Sequence, residues 1–412
     1  MRLSELAEAL GAERIGEVPR ERVKEVLEKY ERLGKPVIYK VEGWEPEVVS
    51  ALYSSREAVW KALNAGSDEE AYEKLLHYKK GTMEIVPFSY RKVDSLDYLP
   101  WVKFYPEDGG AYHTASVYVA CLDDVCNASY HRTMYLGPRK AALRMVPRHL
   151  YKMYKEALER GEELKVAVVI GAPSEVEFAA ALSLPFGEFE LEVAASLAGS
   201  LEVSKTPLYS LPVPARAGAV IEGRITAERV DEGPFVDLLH TYDSVRKEPV
   251  LEVDAVYVGE EPLHIILPGG VEHQFLMGYP KEASIWDSVR KVVPKVHKVR
   301  LTRGGGMWLH AVVSVEKNVD GDAKNAIMAA FAGHPSLKHV VVVDPDVDPD
   351  DPYQVEWAIA TRFQAHEDLI VIKNARGSSL DPSSQDGLTS KMGLDATAPL
   401  KSKDKFKRVG NI

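Results

Sequence analysis

The chain has 412 residues, of which 45% are hydrophobic and 27% are charged, so it has room for two or three globular domains and is neither disordered nor fibrous. Its formal net charge of −11, with no stripe of Lys and Arg interleaved with aromatics, argues against a nucleic-acid partner, since binding phosphates requires concentrated positive charge. No window approaches the roughly 18 uninterrupted apolar residues of a membrane span, and MRLSELAEALG predicts an amphipathic helix rather than a secretion signal. We therefore expect a cytoplasmic protein without stable membrane association.

Residues 1–90 predict a helix-rich α/β module. VPRERVKEVLEKYERLG has helical periodicity and a closing Gly, and KPVIYKVEG is typical of a short buried strand. EPEVVSALYSSREAVWKALN and SDEEAYEKLLHYKKG predict two further helices. The second of these opens with Ser67 as N-cap, followed by acidic residues that suit the helix dipole.

Residues 91–300 predict a β-rich region. AYHTASVYVACL alternates between polar and apolar residues, and LKVAVVIGAPS is typical of a buried strand. VPARAGAVIEGRITAERVDEGPF and PVLEVDAVYVGEEPLHIILPG predict further strands at regular spacing. One helix interrupts this region at about residues 147–160, in PRHLYKMYKEALERG.

Residues 301–412 alternate again between strands and helices. WLHAVVSVEK and KHVVVVDPD predict strands, and DAKNAIMAAFAGHP and PYQVEWAIATRFQAHED predict helices, which together indicate a second α/β layer. The tail from SSLDPSS onward is rich in Ser, Gly, Pro and Lys. It predicts a loop-like arm of the kind that lies across a neighbouring subunit.

Three patterns favour structural over functional interpretations. Cys121 and Cys126, in CLDDVC, lack the CxxC spacing of zinc and redox sites, and cytosolic chains rarely carry disulfides, so we interpret both as small buried residues. DPDVDPDD alternates its acids like a calcium loop, but Pro349 and Val355 stand where such a loop needs Gly and Glu, so it predicts a turn with N-capping acids. RGGG, at residues 303–306, matches no phosphate-binding loop and predicts a tight turn.

Other polar residues are candidates for a functional site, although none is specific alone. Asn127, His131 and Arg132 follow the alternating strand in CNASYHRTMYLGPRK, a pattern that by itself is typical of a loop. His149 begins the predicted 147–160 helix and would ordinarily be a packed or exposed histidine. Glu190, in FGEFELEVAA, would ordinarily be a solvated helix acid.

A series of short motifs gives these residues a common context. In chain order the series comprises LPWVKFYPEDGGAYHTA, NASYHR, the histidine helix, AVVIGAP, FELEVAASLAG, VPARAGAVIEG, EGPFVD, WLHAVVSVEK, VVVDPDVDP, VEWAIATRFQ, SSLDPSS and KMGLDATAP. Together, and in this order, the motifs resemble the UbiD family of decarboxylases over residues 99–399. The N-terminal module resembles the family's more variable entry domain less closely.

The resemblance implies a cofactor and a metal. UbiD enzymes use prenylated FMN, a flavin with an added isoprenoid ring, and hold a divalent ion, usually manganese with magnesium as the alternative, between the flavin phosphate and protein ligands. The family's metal ligands match Asn127, His149 and Glu190, a donor set that suits a hard cation. A potassium ion is also expected, with no ligands assigned. The positions that match cofactor contacts in the family are Asn127, Tyr130, His131, Arg132, Arg144, Met145, Val146, His149, Leu150 and Glu190.

The resemblance also implies three catalytic residues. The family's Arg matches Arg132, and its EGPFxE or EGPxxD signature matches Glu232 and Asp237. An Arg fork can dock the substrate carboxylate bidentately, with Glu232 fixing the guanidinium. Asp237 would then donate the proton that replaces CO2, and the adjacent Leu238 and Leu239 favour its protonated form.

The signature departs from the family's common EGPFGEYTGYY. Val236 replaces a Gly, LLHTYD replaces the small-aromatic run, and Ala195 replaces the Gly of the AGAL-like segment. This altered version is similar to the archaeal branch that converts trans-anhydromevalonate 5-phosphate to isopentenyl phosphate in the mevalonate pathway. We expect His131, His240 or a nearby Arg to bind the substrate phosphate.

Three alternatives stay open. A decarboxylase of an aromatic or polyprenyl-hydroxybenzoate acid would have an open, aromatic-lined pocket, which the LLHTYD segment speaks against. A non-catalytic subunit of a carboxylase complex would be favoured by the loss of Arg132, Glu232 or Asp237, but all three are present. A metal hydrolase using His149 and Glu190 would need a further clustered His or an HExxH helix.

The resemblance finally implies an α/β (α+β) architecture in three parts. These are an N-terminal α/β module at 1–90, a central split β-barrel-like flavin-binding domain with the catalytic residues at 91–300, and a C-terminal α/β oligomerisation region with an extended tail at 301–412. It also implies a homo-oligomer, either dimer or hexamer, and a flavin prenyltransferase as the partner that supplies the cofactor.

Overall fold

The computed structural model describes residues 1–409, which divide into two compact units. The larger unit comprises Met1–Asp237 and Tyr242–Leu276, and the smaller unit comprises Leu238–Thr241 and the described residues from Met277 onward. Both units mix helices and strands, which confirms the predicted mixed α/β class. No helix among residues 1–409 is long and apolar enough to cross a membrane.

Strands and helices are numbered along the chain. The strands of the larger unit are β1 Glu13–Val18, β2 Val37–Val41, β3 Glu47–Ser50, β4 Thr82–Ile85, β5 Arg91–Val93, β6 Tyr112–His113, β7 Ser116–Leu122, β8 Val125–Tyr130, β9 Thr133–Gly137, β10 Lys140–Leu143, β11 Leu164–Ile170, β12 Ser200–Lys205, β13 Pro212–Pro214, β14 Ala219–Glu232, β15 Phe235–Val236, β16 Tyr242–Asp243, β17 Arg246–Val258 and β18 Leu263–His264. Its helices are α1 Leu3–Ala9, α2 Val23–Leu33, α3 Arg56–Ala62, α4 Asp68–Leu76, α5 His149–Glu159, α6 Ser174–Ala181 and α7 Glu190–Ala198.

The remaining elements begin at the end of the larger unit. They are α8 Val271–Val289, β19 Lys295–Leu301, β20 His310–Glu316, α9 Asp322–Gly333, β21 His339–Val343, α10 Pro352–Arg362, α11 Ala365–Asp368, β22 Leu369–Arg376 and β23 Leu388–Ala396. Short 3₁₀ segments span Arg20–Arg22, Leu96–Tyr98, Arg303–Gly305 and Leu400–Phe406.

The N-terminal elements form a four-stranded sheet in the order β1-β2-β3-β18. Helices α2 and α4 and strand β2 confirm their predictions, and the Ser67 hydroxyl accepts a hydrogen bond from the Glu70 N–H at 3.2 Å, as expected of an N-cap. The helix predicted across EPEVVSALYSSREAVWKALN is wrong in its first half. Val48 and Val49 are fully buried in β3, because β-branched residues pack well between two neighbouring strands. Only α3 remains helical.

A nine-stranded antiparallel sheet dominates the larger unit, in the order β6-β9-β10-β17-β14-β11-β7-β8, with β5 also paired to β17. Apolar residues cover both of its faces, as β11 illustrates: Val166 and Val168 belong to one core cluster, and Ala167 and Val169 belong to the other. Helix α5, as predicted, packs Leu150 and its neighbours against the first cluster. Helices α6 and α7 contribute to the second cluster. Helix α6 was not predicted, because it is buried on every side and so lacks an amphipathic period.

A fully buried ionic cluster joins three elements of the larger unit, and we name it the His264 cluster. The His264 imidazole contacts Glu177 through Nδ1 at 2.9 Å and Glu272 through Nε2 at 3.0 Å. The Tyr53 hydroxyl donates to Glu177 at 2.7 Å, and the backbone N–H of Ala51 donates to Glu272 at 2.7 Å. The cluster therefore ties β18 to α6 and to the first turn of α8 through polar contacts that exclude water.

The smaller unit contains a five-stranded sheet in the order β19-β20-β21-β23-β22. Strands β20 and β21 and helices α9 and α10 confirm their predictions, and the Asp351 carboxylate caps α10 by accepting from the Tyr353 N–H at 3.0 Å. The predicted loop-like tail is wrong in its central part: β23 lies between β21 and β22, with Leu394 and Ala396 buried. RGGG forms the expected tight turn, since Gly306 has a φ of 67°.

Candidate active site

The β7–β8 hairpin carries the first group of predicted site residues. A two-residue turn at Asp123 and Asp124 joins the strands and places Cys121 directly opposite Cys126. The two cysteines form a disulfide, so the prediction of two unpaired buried residues is wrong. The spacing of the two cysteines in the sequence does not predict the disulfide, because the disulfide depends on the register of the hairpin. Asn127 follows immediately on β8.

Arg132 lies just after β8 and is surrounded by three carboxylates. Glu232 accepts from Nε and Nη2 of Arg132, each at 2.8 Å, in a bidentate fork. Asp243 accepts from the same Nη2 at 3.2 Å, and Asp237 lies 3.5 Å from Nη1. The structure therefore brings together the three predicted catalytic residues, with Asp243 as a fourth member. We name these four residues the Arg132 cluster.

The signature EGPFVD positions the acids of this cluster. Glu232 ends β14, Phe235 and Val236 form β15, and β15 pairs with β16 so that Phe235 faces Asp243. The Phe235 ring lies 4.6 Å from the Arg132 guanidinium carbon, a favourable cation–π arrangement. The Tyr112 hydroxyl donates to Glu232 Oε1 at 3.0 Å, which leaves that carboxylate with three donors.

Charge pairing dominates the electrostatics of the Arg132 cluster. Burial alone would lower the pKa of Arg132, but Glu232, Asp237 and Asp243 together raise it, so the guanidinium stays charged. Burial likewise opposes ionisation of Asp243, but Arg246, Arg132 and Arg144 outweigh it and hold the pKa of Asp243 below its ordinary value.

The three carboxylates differ in the exposed fraction of their side chains. The side chain of Glu232 is 0% exposed and that of Asp243 is 9% exposed, whereas that of Asp237 is 22% exposed. Asp237 is also the carboxylate with the longest contact to Arg132. It is therefore the acid of the cluster best placed to exchange a proton with a bound molecule.

Glu190 and Asn127 form a second polar site. Asn127 Nδ2 donates to Glu190 Oε1 at 2.9 Å, and the Ala128 N–H donates to Glu190 Oε2 at 2.6 Å. Glu190 is 3% exposed, so its interpretation as a solvated helix acid is wrong: it begins α7 facing β8. Burial raises its pKa to about 7 against the lowering effect of these hydrogen bonds, because its partners are neutral.

The three predicted metal ligands are only partly brought together. Asn127 and Glu190 are in contact, and their oxygens and the uncompensated carboxylate charge suit a hard cation. His149 instead packs edge-on against Phe186, with 5.4 Å between the ring centroids. Burial together with Arg148 and Lys152 lowers the pKa of His149, which favours the neutral imidazole that a metal requires. Among residues 1–409, no group of three or more His, Cys, Asp and Glu side chains is arranged to hold a metal ion.

The remaining predicted cofactor contacts lie around the same hairpin. His131 is buried, with Nε2 near the Ser129 hydroxyl at 3.1 Å and Nδ1 near the Arg144 carbonyl at 2.9 Å. Burial lowers the pKa of His131 to about 4, so its imidazole is neutral in this structure. Met145 and Leu150 are buried in the core, and Val146 is half-buried between them in sequence.

On the β7–β8 pair, two buried hydroxyl groups have no hydrogen-bond partner within the described residues: Ser116 Oγ and Tyr130 Oη. They lie at the same end of the β7–β8 pair, where Val117 faces Tyr130. A buried hydroxyl left without a partner costs about 1–3 kcal/mol, so these groups fit a bound polar ligand.

Sequence reasoning missed several residues of the site. Asp243 is the last residue of the LLHTYD segment, but nothing in that segment indicates its role. Glu248, which accepts from Arg144 Nη1 at 2.8 Å, belongs to no motif of the series. Tyr112 was likewise overlooked. Their only sequence signal is proximity to the signature or to the strand before Asn127, because the pairing of β15 with β16 and of β6 with β9 decides their contacts.

Comparison with known proteins identifies the class. Residues 78–271 match the family described as the 3-octaprenyl-4-hydroxybenzoate carboxy-lyase Rift-related domain, and residues 274–396 match its C-terminal domain. These matches cover most of the chain. The chain therefore belongs to the UbiD family of carboxy-lyases, as the motif series indicated.

Individual proteins of this family resemble the chain over most of its length. The anhydromevalonate phosphate decarboxylase of Aeropyrum pernix is 51% identical over 373 residues, which cover 89% of this chain and 85% of that protein. The UbiD-class enzyme HmfF from Pelotomaculum thermopropionicum in complex with FMN has a TM-score of 0.93 at 35% identity, covering 99% of this chain and 96% of that one. An evolved dimeric form of HmfF in complex with prFMN has a TM-score of 0.90 at 32% identity, covering 100% and 97%.

Proposed function

We propose that this protein is a prenylated-FMN-dependent decarboxylase that converts trans-anhydromevalonate 5-phosphate to isopentenyl phosphate. The Arg132 cluster carries the proposal, because it combines a fixed guanidinium with a partly exposed acid at 3.5 Å. The similarity to the Aeropyrum pernix enzyme supports the choice of substrate. The unpartnered hydroxyls of Ser116 and Tyr130 support a cofactor site beside β8.

Three members of the Arg132 cluster have separate tasks in this proposal. Arg132 binds the substrate carboxylate through N–H groups on Nη1 and Nη2, since Glu232 occupies the Nε edge. Glu232, itself held by Tyr112, fixes the plane of the guanidinium. Prenylated FMN, when bound, supplies the electron sink for the α,β-unsaturated acid. Asp237 then transfers a proton from its carboxyl oxygen to the carbon that has lost CO2.

The proposal extends to a metal site and to assembly. Asn127, Glu190 and His149 would hold manganese or magnesium, supported by the buried contact between Asn127 and Glu190. A potassium ion remains part of the proposal without assigned ligands. We further propose a cytoplasmic homo-oligomer that receives its cofactor from a flavin prenyltransferase. The dimeric HmfF structure supports the oligomer.

The test is turnover by protein co-expressed with a flavin prenyltransferase and supplied with manganese. We expect release of CO2 and isopentenyl phosphate from trans-anhydromevalonate 5-phosphate, with little turnover of cinnamate or hydroxybenzoates. Asp237→Asn should lower kcat by about 10²–10⁴-fold, the usual contribution of a positioned general acid. Asp231→Asn is the matched control, because Asp231 pairs with Lys247 on the exposed part of β14 and β17.

The alternatives give different outcomes in the same assay. Preferential turnover of an aromatic acid would replace the proposed substrate while keeping the reaction. Bound prenylated FMN with no turnover of any acid would favour the non-catalytic subunit. Full activity of Asp237→Asn would remove Asp237 from its proposed role.

A further inference from the structure

The edge of Arg132 that faces away from Glu232 is already occupied. Nη2 uses one N–H for Glu232 at 2.8 Å and contacts Asp243 at 3.2 Å, while Nη1 contacts Asp237 at 3.5 Å. A planar carboxylate docking on Nη1 and Nη2 would need the N–H that Asp243 takes. It would also bring a second negative charge next to the Asp243 carboxylate, which is unfavourable in a buried site.

Asp243 has two further cationic partners besides Arg132. Its Oδ1 contacts Arg246 Nη1 at 2.5 Å, and its Oδ2 lies 3.6 Å from Arg144 Nε. Arg144 is in turn held by Glu248 at 2.8 Å. Asp243 can therefore release Arg132 and still remain paired with Arg246 and Arg144.

We propose that Asp243 is a positioning residue that occupies the carboxylate-binding edge of Arg132 in the free enzyme and yields that edge to the substrate carboxylate. This inference rests on the proposed function, because it assigns Arg132 to the substrate carboxylate. Arg246 holds Asp243 when the substrate is bound. The pair Asp243 and Arg246 thus sets the affinity for carboxylates without taking part in proton transfer.

The location of Asp243 agrees with such a role. It belongs to the two-residue strand β16, which pairs with β15, and β15 leads directly to Asp237. Asp243 is the last residue of LLHTYD, the segment that departs from the common family signature. The residue that competes with the substrate therefore lies in the part of the signature that distinguishes this chain.

Two substitutions with opposite expected effects test the proposal. Asp243→Asn removes the competing charge and should lower KM for trans-anhydromevalonate 5-phosphate about tenfold, with kcat little changed. Arg246→Gln leaves Asp243 with Arg132 as its main partner and should raise KM by a similar factor. Asp231→Asn, which makes the same charge change at an exposed pair, should leave KM unchanged.

Direct binding measurements separate this inference from the proposed function. Calorimetric titration with crotonate, an unsaturated acid without a phosphate, should show tighter binding to Asp243→Asn and weaker binding to Arg246→Gln. Isopentenyl phosphate, which has no carboxylate, should bind equally to both variants and to the unmodified protein. If Asp243→Asn binds crotonate no more tightly, or if both substitutions weaken it, the inference is wrong. If only the phosphorylated acid fails to react, the proposed substrate is wrong instead.

Discussion

The His264 cluster and the Arg132 cluster are both buried ionic networks of the larger unit, but they differ in how far their side chains are exposed to solvent. His264, Glu177 and Glu272 have 0% exposed side chains, and both imidazole nitrogens contact carboxylates. In the Arg132 cluster, the Asp237 side chain is 22% exposed and its carboxylate lies 3.5 Å from Nη1 of Arg132. A fully buried network stabilises the fold, whereas a network with a partly exposed acid can also contact a bound ligand.

The two networks also differ in how their cations titrate with pH. Burial opposes the charged imidazole, but Glu177 and Glu272 outweigh it and raise the pKa of His264 to about 10. The cation of the Arg132 cluster does not titrate in the accessible range, since guanidinium groups stay protonated. Stability from the His264 cluster is therefore lost as pH rises toward 10, whereas Asp243 of the Arg132 cluster, whose pKa is lowered, contributes stability that is lost as pH falls.

Removing the cation of the sealed cluster should give the largest effect. We expect His264→Leu to lower the free energy of unfolding by about 3–5 kcal/mol, because Glu177 and Glu272 would remain buried without a positive partner. Denaturant unfolding followed by circular dichroism measures the change. His77→Leu, at an exposed His–Glu73 pair, is the control and should cost no more than about 1 kcal/mol. Equal losses in the two variants would contradict the distinction.

A pair of matched tyrosine substitutions sharpens the comparison. Tyr53 donates to Glu177 at 2.7 Å, and Tyr112 donates to Glu232 at 3.0 Å. Tyr53→Phe should destabilise the fold by about 1.5–3 kcal/mol, the range for hydrogen bonds to charged groups, and leave kcat/KM of the folded enzyme unchanged. Tyr112→Phe should instead lower kcat/KM, because Glu232 would hold Arg132 less firmly. Two results together would contradict this distinction: a lower kcat/KM without destabilisation in Tyr53→Phe, and destabilisation without a lower kcat/KM in Tyr112→Phe.

The smallest expected effect, counted per pH unit, is the change in stability with pH. Between about pH 7 and 9 the folded protein keeps the His264 proton, whereas the unfolded chain, with a His pKa near 6.5, has lost it. Stability from this group is therefore fully present below about pH 6.5 and falls by about 1.4 kcal/mol per pH unit as pH rises toward 10. Unfolding at several pH values, compared with His264→Gln, isolates the contribution. An identical slope in that variant would contradict it.

Local signals in the sequence predicted the elements that depend on local physics. The Ser67 cap, the period of α5 and the Asp351 cap all appear in the structure because a few neighbouring residues determine them. The helix predicted at Glu47–Ser50 was wrong because pairing with β2 and β18, the latter from a distant part of the chain, outweighed the helical pattern. Strand β23 was not predicted, because its pairing with β21 and β22 likewise depends on residues outside its own segment.

The candidate site was predictable only as far as its motifs extend. The order of the motifs located Arg132, Glu232 and Asp237, and the structure places them in contact. Asp243 could not be assigned, because its role depends on the register of a two-residue strand pair. The disulfide of Cys121 and Cys126 likewise depends on a hairpin register that no spacing rule for cysteines describes.

The contact between Gly109 and Gly233 couples two motifs that are far apart in the chain. The Gly109 N–H donates to the Pro234 carbonyl at 2.8 Å, and a Cβ at Gly109 would lie 2.1 Å from the Gly233 carbonyl oxygen. Any side chain at Gly109 would thus displace the backbone that leads to Asp237. A sequence that changes Gly109 should therefore need a compensating change near Gly233, so we expect EDGG and EGPF to vary together among proteins that share this backbone contact.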